Sequence, residues 1–176
     1  MPLFSAEVQN IVEGGQMVIV LDCIRKAQNL GAVMRLVLAA NADVYLTGDS
    51  LKHTHPRVKT QMQKWARLPN FADVETLVDV RYADTLEELV NDFRAKGYRI
   101  IGTSPHAESI YTDIDYTTGN FIIVFGPEVS GLSHRKLEMM DVVVKIPMLG
   151  NLDSLNLATS VAVIVYEVLR QRGFRS

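Results

Sequence analysis

The chain has 176 residues, of which 48% are hydrophobic and 22% charged, with a formal net charge of -2. That length and balance suit a single globular domain with a real core. They exclude a long disordered tract and a globally basic nucleic-acid binder, so any anionic partner must meet a local surface.

In chain order, the amino end "MPLFSAEVQN" lacks the basic-then-apolar pattern of a signal peptide. The apolar run "MVIVLD" (Met17 to Asp22) then predicts a buried strand that ends at Cys23, the one cysteine. A lone cysteine builds no disulfide framework and fits a reducing compartment. A helix is expected over Gly31 to Ala40, a strand over "DVYLTG" (Asp43 to Gly48), and a helix over Thr85 to Gly97, where Gly97 is a stop signal. Strands follow at "YRIIGT" (Tyr98 to Thr103) and "FIIVFG" (Phe121 to Gly126). A helix capped by Ser133 is expected up to Asp141, and a strand at "VVVKIP" (Val142 to Pro147). Continuous apolar runs alternating with helices predict an α/β fold, a parallel sheet with helices on both faces. The last helix, Ser154 to Arg172, is apolar nearly all round its middle, so a second subunit is expected to cover one side as a homodimer. Its stretch "LATSVAVIVY" is too short to span a bilayer, and the cytoplasm is the expected location.

The sequence has no G-x-G-x-x-G after the first strand, no G-x-x-x-x-G-K-[ST] and no G-x-S-x-G. The common dinucleotide, P-loop and α/β-hydrolase chemistries are therefore not signalled. His53 and His55 offer two imidazoles without a third ligand nearby, and no metal site is expected. The stretch from Leu51 to Ala72 contains Lys52, Arg57, Lys59, Lys64 and Arg67 and no acid, with Trp65 interleaved. It suits either a solvated loop and helix face or a phosphate-tracking surface for RNA with Trp65 free to stack on a base.

Three stretches hold polar residues where apolar runs end. "NLGAVMR" places Asn29, Gly31 and Arg35 near a helix start. "FGPEVSGLS" carries Gly126, Glu128 and Gly131 from a strand end to a helix cap. "IPMLGNLDSLN" carries Gly150, Asn151, Ser154 and Asn156 into the last helix. Strand carboxyl ends are where open α/β sheets bind ligands, and glycine there lets a ligand approach the backbone. Ser154 and Asn156 both suit a helix N-cap, yet one helix needs only one.

Taken together, in this order and spacing, the three stretches resemble the signature motifs of the SpoU (TrmH-type) branch of the SPOUT RNA methyltransferases. "LDCIRKAQNLGAVMR" resembles that branch too, and the likeness runs from about Met17 to Arg172. It implies a single catalytic domain without a separate RNA-binding domain, and a carboxyl-terminal deep trefoil knot that pattern reading alone would reject. It implies transfer of a methyl group from S-adenosylmethionine to a ribose 2'-hydroxyl of RNA. The preferred RNA is tRNA, the alternative rRNA, and a separate RNA-recognition partner could choose the target. By motif position it assigns the cofactor to Thr103, Gly126, Ile146, Pro147, Met148 and Leu155. Arg35 is the essential arginine, Asn29 and Glu128 orient it or the ribose, and Ser154 and Asn156 shape the pocket. A non-catalytic knotted RNA-binding protein is the rival reading, and it leaves Arg35 in a polar pocket unexplained. A small-molecule methyltransferase is another, and it leaves the acid-free basic stretch without a purpose.

Overall fold

The computed structural model describes residues 15–67, 73 and 76–174. Among them seven strands, β1 (Met17–Asp22), β2 (Asp43–Thr47), β3 (Val80–Ala83), β4 (Arg99–Thr103), β5 (Ser109–Ile110), β6 (Phe121–Phe125) and β7 (Val142–Lys145), form one sheet. Every pairing is parallel and the order is β3-β2-β1-β6-β4-β7-β5. The helices are α1 (Ala27–Ala40), α2 (Pro56–Ala66), α3 (Leu86–Ala95), α4 (His134–Leu137) and α5 (Leu157–Gln171). β6 lies between β1 and β4, and β7 between β4 and β5. The last two strands are thus inserted between strands that precede them in the chain.

Because side chains alternate along a strand, each central strand feeds two cores. Met17, Ile19 and Leu21 of β1 and Phe121, Ile123 and Phe125 of β6 share one core with Leu30, Val33 and Met34 of α1, Val58 and Met62 of α2, and Val161, Ile164, Val165 and Val168 of α5. Val18, Val20, Ile122 and Val124 meet Leu86, Leu89, Val90 and Phe93 of α3 on the other face. Burial on both faces explains why β1 and β6 read as unbroken apolar runs.

The differences from expectation have local causes. β3 is an edge strand with exposed Arg81 and Tyr82 between Asp79 and Asp84, so its apolar pattern is too thin to read. α2 buries only Val58 and Met62, and its start is fixed by Pro56 in the first turn and by His55, whose side chain accepts from the Arg57 amide at 3.2 Å. The helix capped by Ser133 stops at Leu137. The chain then turns so that Asp141 accepts from the Ile100 amide at 2.7 Å and from Arg94 at 3.1 Å, which leads into β7. α1 begins at Ala27, so Gly31 lies inside the helix and not at its head. A Cβ at Gly31 would stand 2.6 Å from the Gln61 Cβ, and its carbonyl accepts from Trp65 Nε1 at 3.0 Å, so this glycine lets α2 lie against α1.

α5 buries Val161, Ile164, Val165 and Val168 against the chain's own core, leaving Ala162 and Val163 half-buried and Tyr166 exposed. No helix among the described residues is long and apolar enough to cross a membrane.

Candidate active site

The carboxyl ends of β1, β6 and β7 bring the three polar stretches together around Asn29, which lies in the first turn of α1 and is 7% exposed. Its Nδ2 donates to Glu128 Oε1 at 3.4 Å, and its Oδ1 accepts from Asn156 Nδ2 at 2.9 Å. Residues 99 and 127 positions further along the chain therefore hold the two ends of one amide, leaving one N–H and one lone pair available.

Each partner also holds backbone. Glu128 Oε1 accepts from the Lys26 amide at 3.0 Å and Oε2 from the Arg25 amide at 3.4 Å. Lys26, the N-cap of α1, makes no side-chain cap, and the helix has no acid in its first turn. A carboxylate from the far loop thus takes the place that a local Asp or Glu usually fills at a helix N-terminus. Asn156 is the N-cap of α5: its Oδ1 accepts from the amides of Ala158 at 2.9 Å and Thr159 at 3.4 Å, while its Nδ2 reaches Asn29. Of the two cap candidates, Asn156 is the cap, and Ser154 is exposed in the preceding loop.

Arg35 is not part of this tie. It is exposed on α1, six residues beyond Asn29, which is about 9 Å along the axis and two-thirds of a turn around it. No hydrogen bond joins it to Asn29 or Glu128 among the described residues, so in this chain Glu128 orients Asn29 and the first turn of α1.

An open cavity of about 360 Å³ is lined by Ile146, Pro147, Met148, Gly150, Leu152 and Asp153 from the segment after β7 and by His106 from the loop after β4, among others. It has the size of a small-cofactor pocket. Of the residues that the resemblance assigns to the cofactor, Ile146, Pro147 and Met148 line this cavity; His106, Leu152 and Asp153 line it too, and the sequence does not single them out because loop residues without periodicity carry no signal until the loops are placed. Thr103, Gly126 and Leu155 lie outside this lining. The Thr103 hydroxyl donates to the Val124 carbonyl at 2.9 Å and so ties β4 to β6. At Gly126 the missing side chain makes room for the protein itself. A Cβ there would stand 2.4 Å from the Leu132 nitrogen, so what approaches this backbone is the returning loop.

The basic stretch begins next to the site. The Leu51 amide donates to the Ile24 carbonyl at 2.8 Å, and Arg25 pairs with Asp49 at 3.0 Å. Lys52, Arg57, Lys64 and Arg67 are exposed and Lys59 is half-buried; residues 68–72 lie outside the described residues. The Lys52 ammonium sits 4.1 Å from the centre of the Tyr82 ring. Trp65 departs from expectation: its ring packs against the core and its Nε1 is bonded to Gly31, so it fastens α2 to α1 and is not a free stacking platform. His53 is buried with its Nδ1 on the Tyr82 hydroxyl, and His55 caps α2.

The model of the SpoU rRNA Methylase family matches residues 16–166, a span that contains β1, the Asn29 tie and most of α5. The chain belongs to that family. A Bacillus subtilis protein named as a candidate tRNA (cytidine(34)-2'-O)-methyltransferase is 33% identical over 151 residues, 84% of this chain and 88% of its own. The 23S rRNA (guanosine-2'-O-)-methyltransferase RlmB of Pseudomonas putida is 31% identical over 171 residues, 97% of this chain and 65% of its own. A solved structure concerned with the 2-OH methylation of C/U34 on tRNA superposes with a TM-score of 0.76 at 28% identity, covering 92% of this chain and 99% of that one. Other curated relatives are longer, and the chain spans as little as 53% of their length. The SpoU fold expected from the three motifs is therefore the fold of this chain.

Proposed function

We propose that this SpoU-family protein transfers a methyl group from S-adenosylmethionine to a ribose 2'-hydroxyl of RNA, with tRNA the favoured substrate and rRNA the alternative. The observation that carries this reading is the junction of all three polar stretches on Asn29, together with a cavity of cofactor size lined by the third of them. The relatives named above act, by their names, on ribose oxygens of tRNA and rRNA.

Ile146, Pro147 and Met148 would hold the cofactor, with Asp153 offering a carboxylate to its cationic end. When bound, the cofactor supplies a methyl group on a positively charged sulfur. The protein's part is to present the ribose oxygen in line with that methyl and to stabilise the charge that develops as the hydroxyl proton passes to solvent water at the open pocket. A guanidinium stays protonated, so Arg35 acts as a charge and a two-pronged donor, holding the neighbouring phosphate and the emerging alkoxide. Asn29, held at both ends of its amide, gives the ribose a fixed dipole, with Glu128 and Asn156 keeping it in place. Ser154, exposed in the loop before α5, would meet the ribose from that loop. A second copy of the chain would cover Tyr166, which is 45% exposed, and Leu149, which is fully exposed.

Transfer of label from S-adenosylmethionine to unmodified tRNA and rRNA, followed by digestion to nucleosides, tests the proposal. Label in a 2'-O-methylated nucleoside is the expected result, and failure to bind S-adenosylmethionine overturns it. The basic stretch carries its own test. Neutralising Arg57 and Lys64 together is expected to lower the salt slope of RNA affinity by about 1.4 to 1.8, two phosphate contacts' worth. Trp65→Phe is expected to leave that slope unchanged and to cost about 1 kcal/mol of stability through its lost bond to Gly31. A slope that moves with Trp65 and not with the two cations would reverse the assignment.

A further inference from the structure

Asp22, at the carboxyl end of β1, is 1% exposed, the most deeply buried charged residue among those described, and nothing in the proposed chemistry uses it. Its Oδ1 accepts from the Thr47 hydroxyl at 2.9 Å, and its Oδ2 accepts from Lys136 Nζ at 2.6 Å. Lys136 belongs to α4, the single turn that follows the Glu128 loop, and its side chain is 24% exposed. Burial by itself pushes the ammonium's pKa down. The hydrogen bond and charge of Asp22, with help from Cys23 and Glu87, outweigh it and leave the pKa raised.

The segment after β6 therefore meets the segment after β1 at two points of opposite polarity. At one, the Glu128 carboxylate holds the amides of Arg25 and Lys26 and the side chain of Asn29. At the other, the Lys136 ammonium holds the Asp22 carboxylate. Between the two points the chain makes a left-handed turn at Gly131 (φ 64°) and leaves Val129 92% exposed, with Leu132 its buried apolar anchor. A buried ion pair adds little net stability over an apolar pair of the same shape, and its best-attested use is to fix register.

We propose that Lys136 and Asp22 form a positioning pair that locks the segment after β6 onto the end of β1 and so sets where Glu128 holds the first turn of α1 and Asn29. Neither residue reaches the cavity lining, so both act through Glu128. The link to methyl transfer rests on the function proposed above; the positioning itself does not.

The test compares Lys136→Met, Lys136→Arg and the double variant Asp22→Asn/Lys136→Met in the full chain. Amide hydrogen exchange is read at Arg25 and Lys26, with Val20 and Ile123 in the middle of the sheet as internal standards. Lys136→Met is expected to speed exchange at Arg25 and Lys26 at least about tenfold while the standards keep their protection. Its methyl-transfer kcat is expected to fall about tenfold, with the KM for S-adenosylmethionine within about twofold of wild type. Lys136→Arg, which keeps a cation within reach of the carboxylate, restores both. The double variant removes the stranded buried charge and so recovers folding stability, yet its Arg25 and Lys26 amides remain fast. Wild-type protection of those two amides in the double variant overturns the proposal. A wild-type chain that transfers no methyl to any RNA would overturn the proposed function and leave the exchange result standing.

Discussion

Replacing Arg35 with alanine is expected to lower methyl transfer about a thousandfold, close to 4 kcal/mol of lost transition-state stabilisation, while the chain folds and binds S-adenosylmethionine as before. The separation follows from its position. Arg35 is exposed on α1 and does not line the cavity, and exposed sites without special contacts change stability by about 0.5 kcal/mol or less. Single-turnover rates set beside calorimetric cofactor affinity make the comparison. Arg35→Lys should recover only part of the rate, because an ammonium keeps the charge and loses the planar fork. Normal turnover in Arg35→Ala would remove this residue from the chemistry.

Glu128→Ala is expected to do damage of both kinds. It strips a charged acceptor from the Lys26 amide, the Arg25 amide and the Asn29 side chain, and so uncaps α1 and frees Asn29 to turn. A lost charge-assisted hydrogen bond at a half-buried site costs about 2 kcal/mol, which for a chain of this size lowers Tm by about 4 to 8 °C. Transfer should fall about a hundredfold, within the range seen when a positioning contact is lost. Glu128→Gln keeps one acceptor oxygen but points an N–H group at one of the donors, so its rate and its Tm are expected to lie between the two. An alanine variant with wild-type Tm and rate would mean that the amides of Arg25 and Lys26 find another acceptor and that Asn29 needs no orientation.

The two variants probe parts of the site that differ in how far the sequence shows them. Asn29, Glu128 and Asn156 stand out in the sequence because each is a polar residue where an apolar run ends, and the fold brings the three to one amide. Arg35 stands out in the same way, yet the structure leaves it apart from the other three. Spacing of six on a helix places two side chains on different faces, whatever the motif suggests. Trp65 shows the opposite failure. An aromatic among cations suggests a stacking surface, but how free it is depends on what packs against it, and here the half-buried ring lies against the core with its Nε1 bonded to Gly31.

By itself the sequence determines the unbroken runs of β1 and β6, because a strand buried on both faces has no room for polar side chains. It also determines the Ser133 cap, because capping is a contact within one turn. Tertiary structure alone decides the rest. It chooses Asn156 over Ser154 as the cap of α5, supplies the missing cap of α1 from Glu128, 102 residues away, and brings Gln61 close against Gly31 and Leu132 close against Gly126. It also pairs Asp22 with Lys136 across 114 residues. Each of these is a contact between segments remote in the chain. Local pattern holds no record of such contacts, because they come into being only when the sheet sets the strand ends side by side.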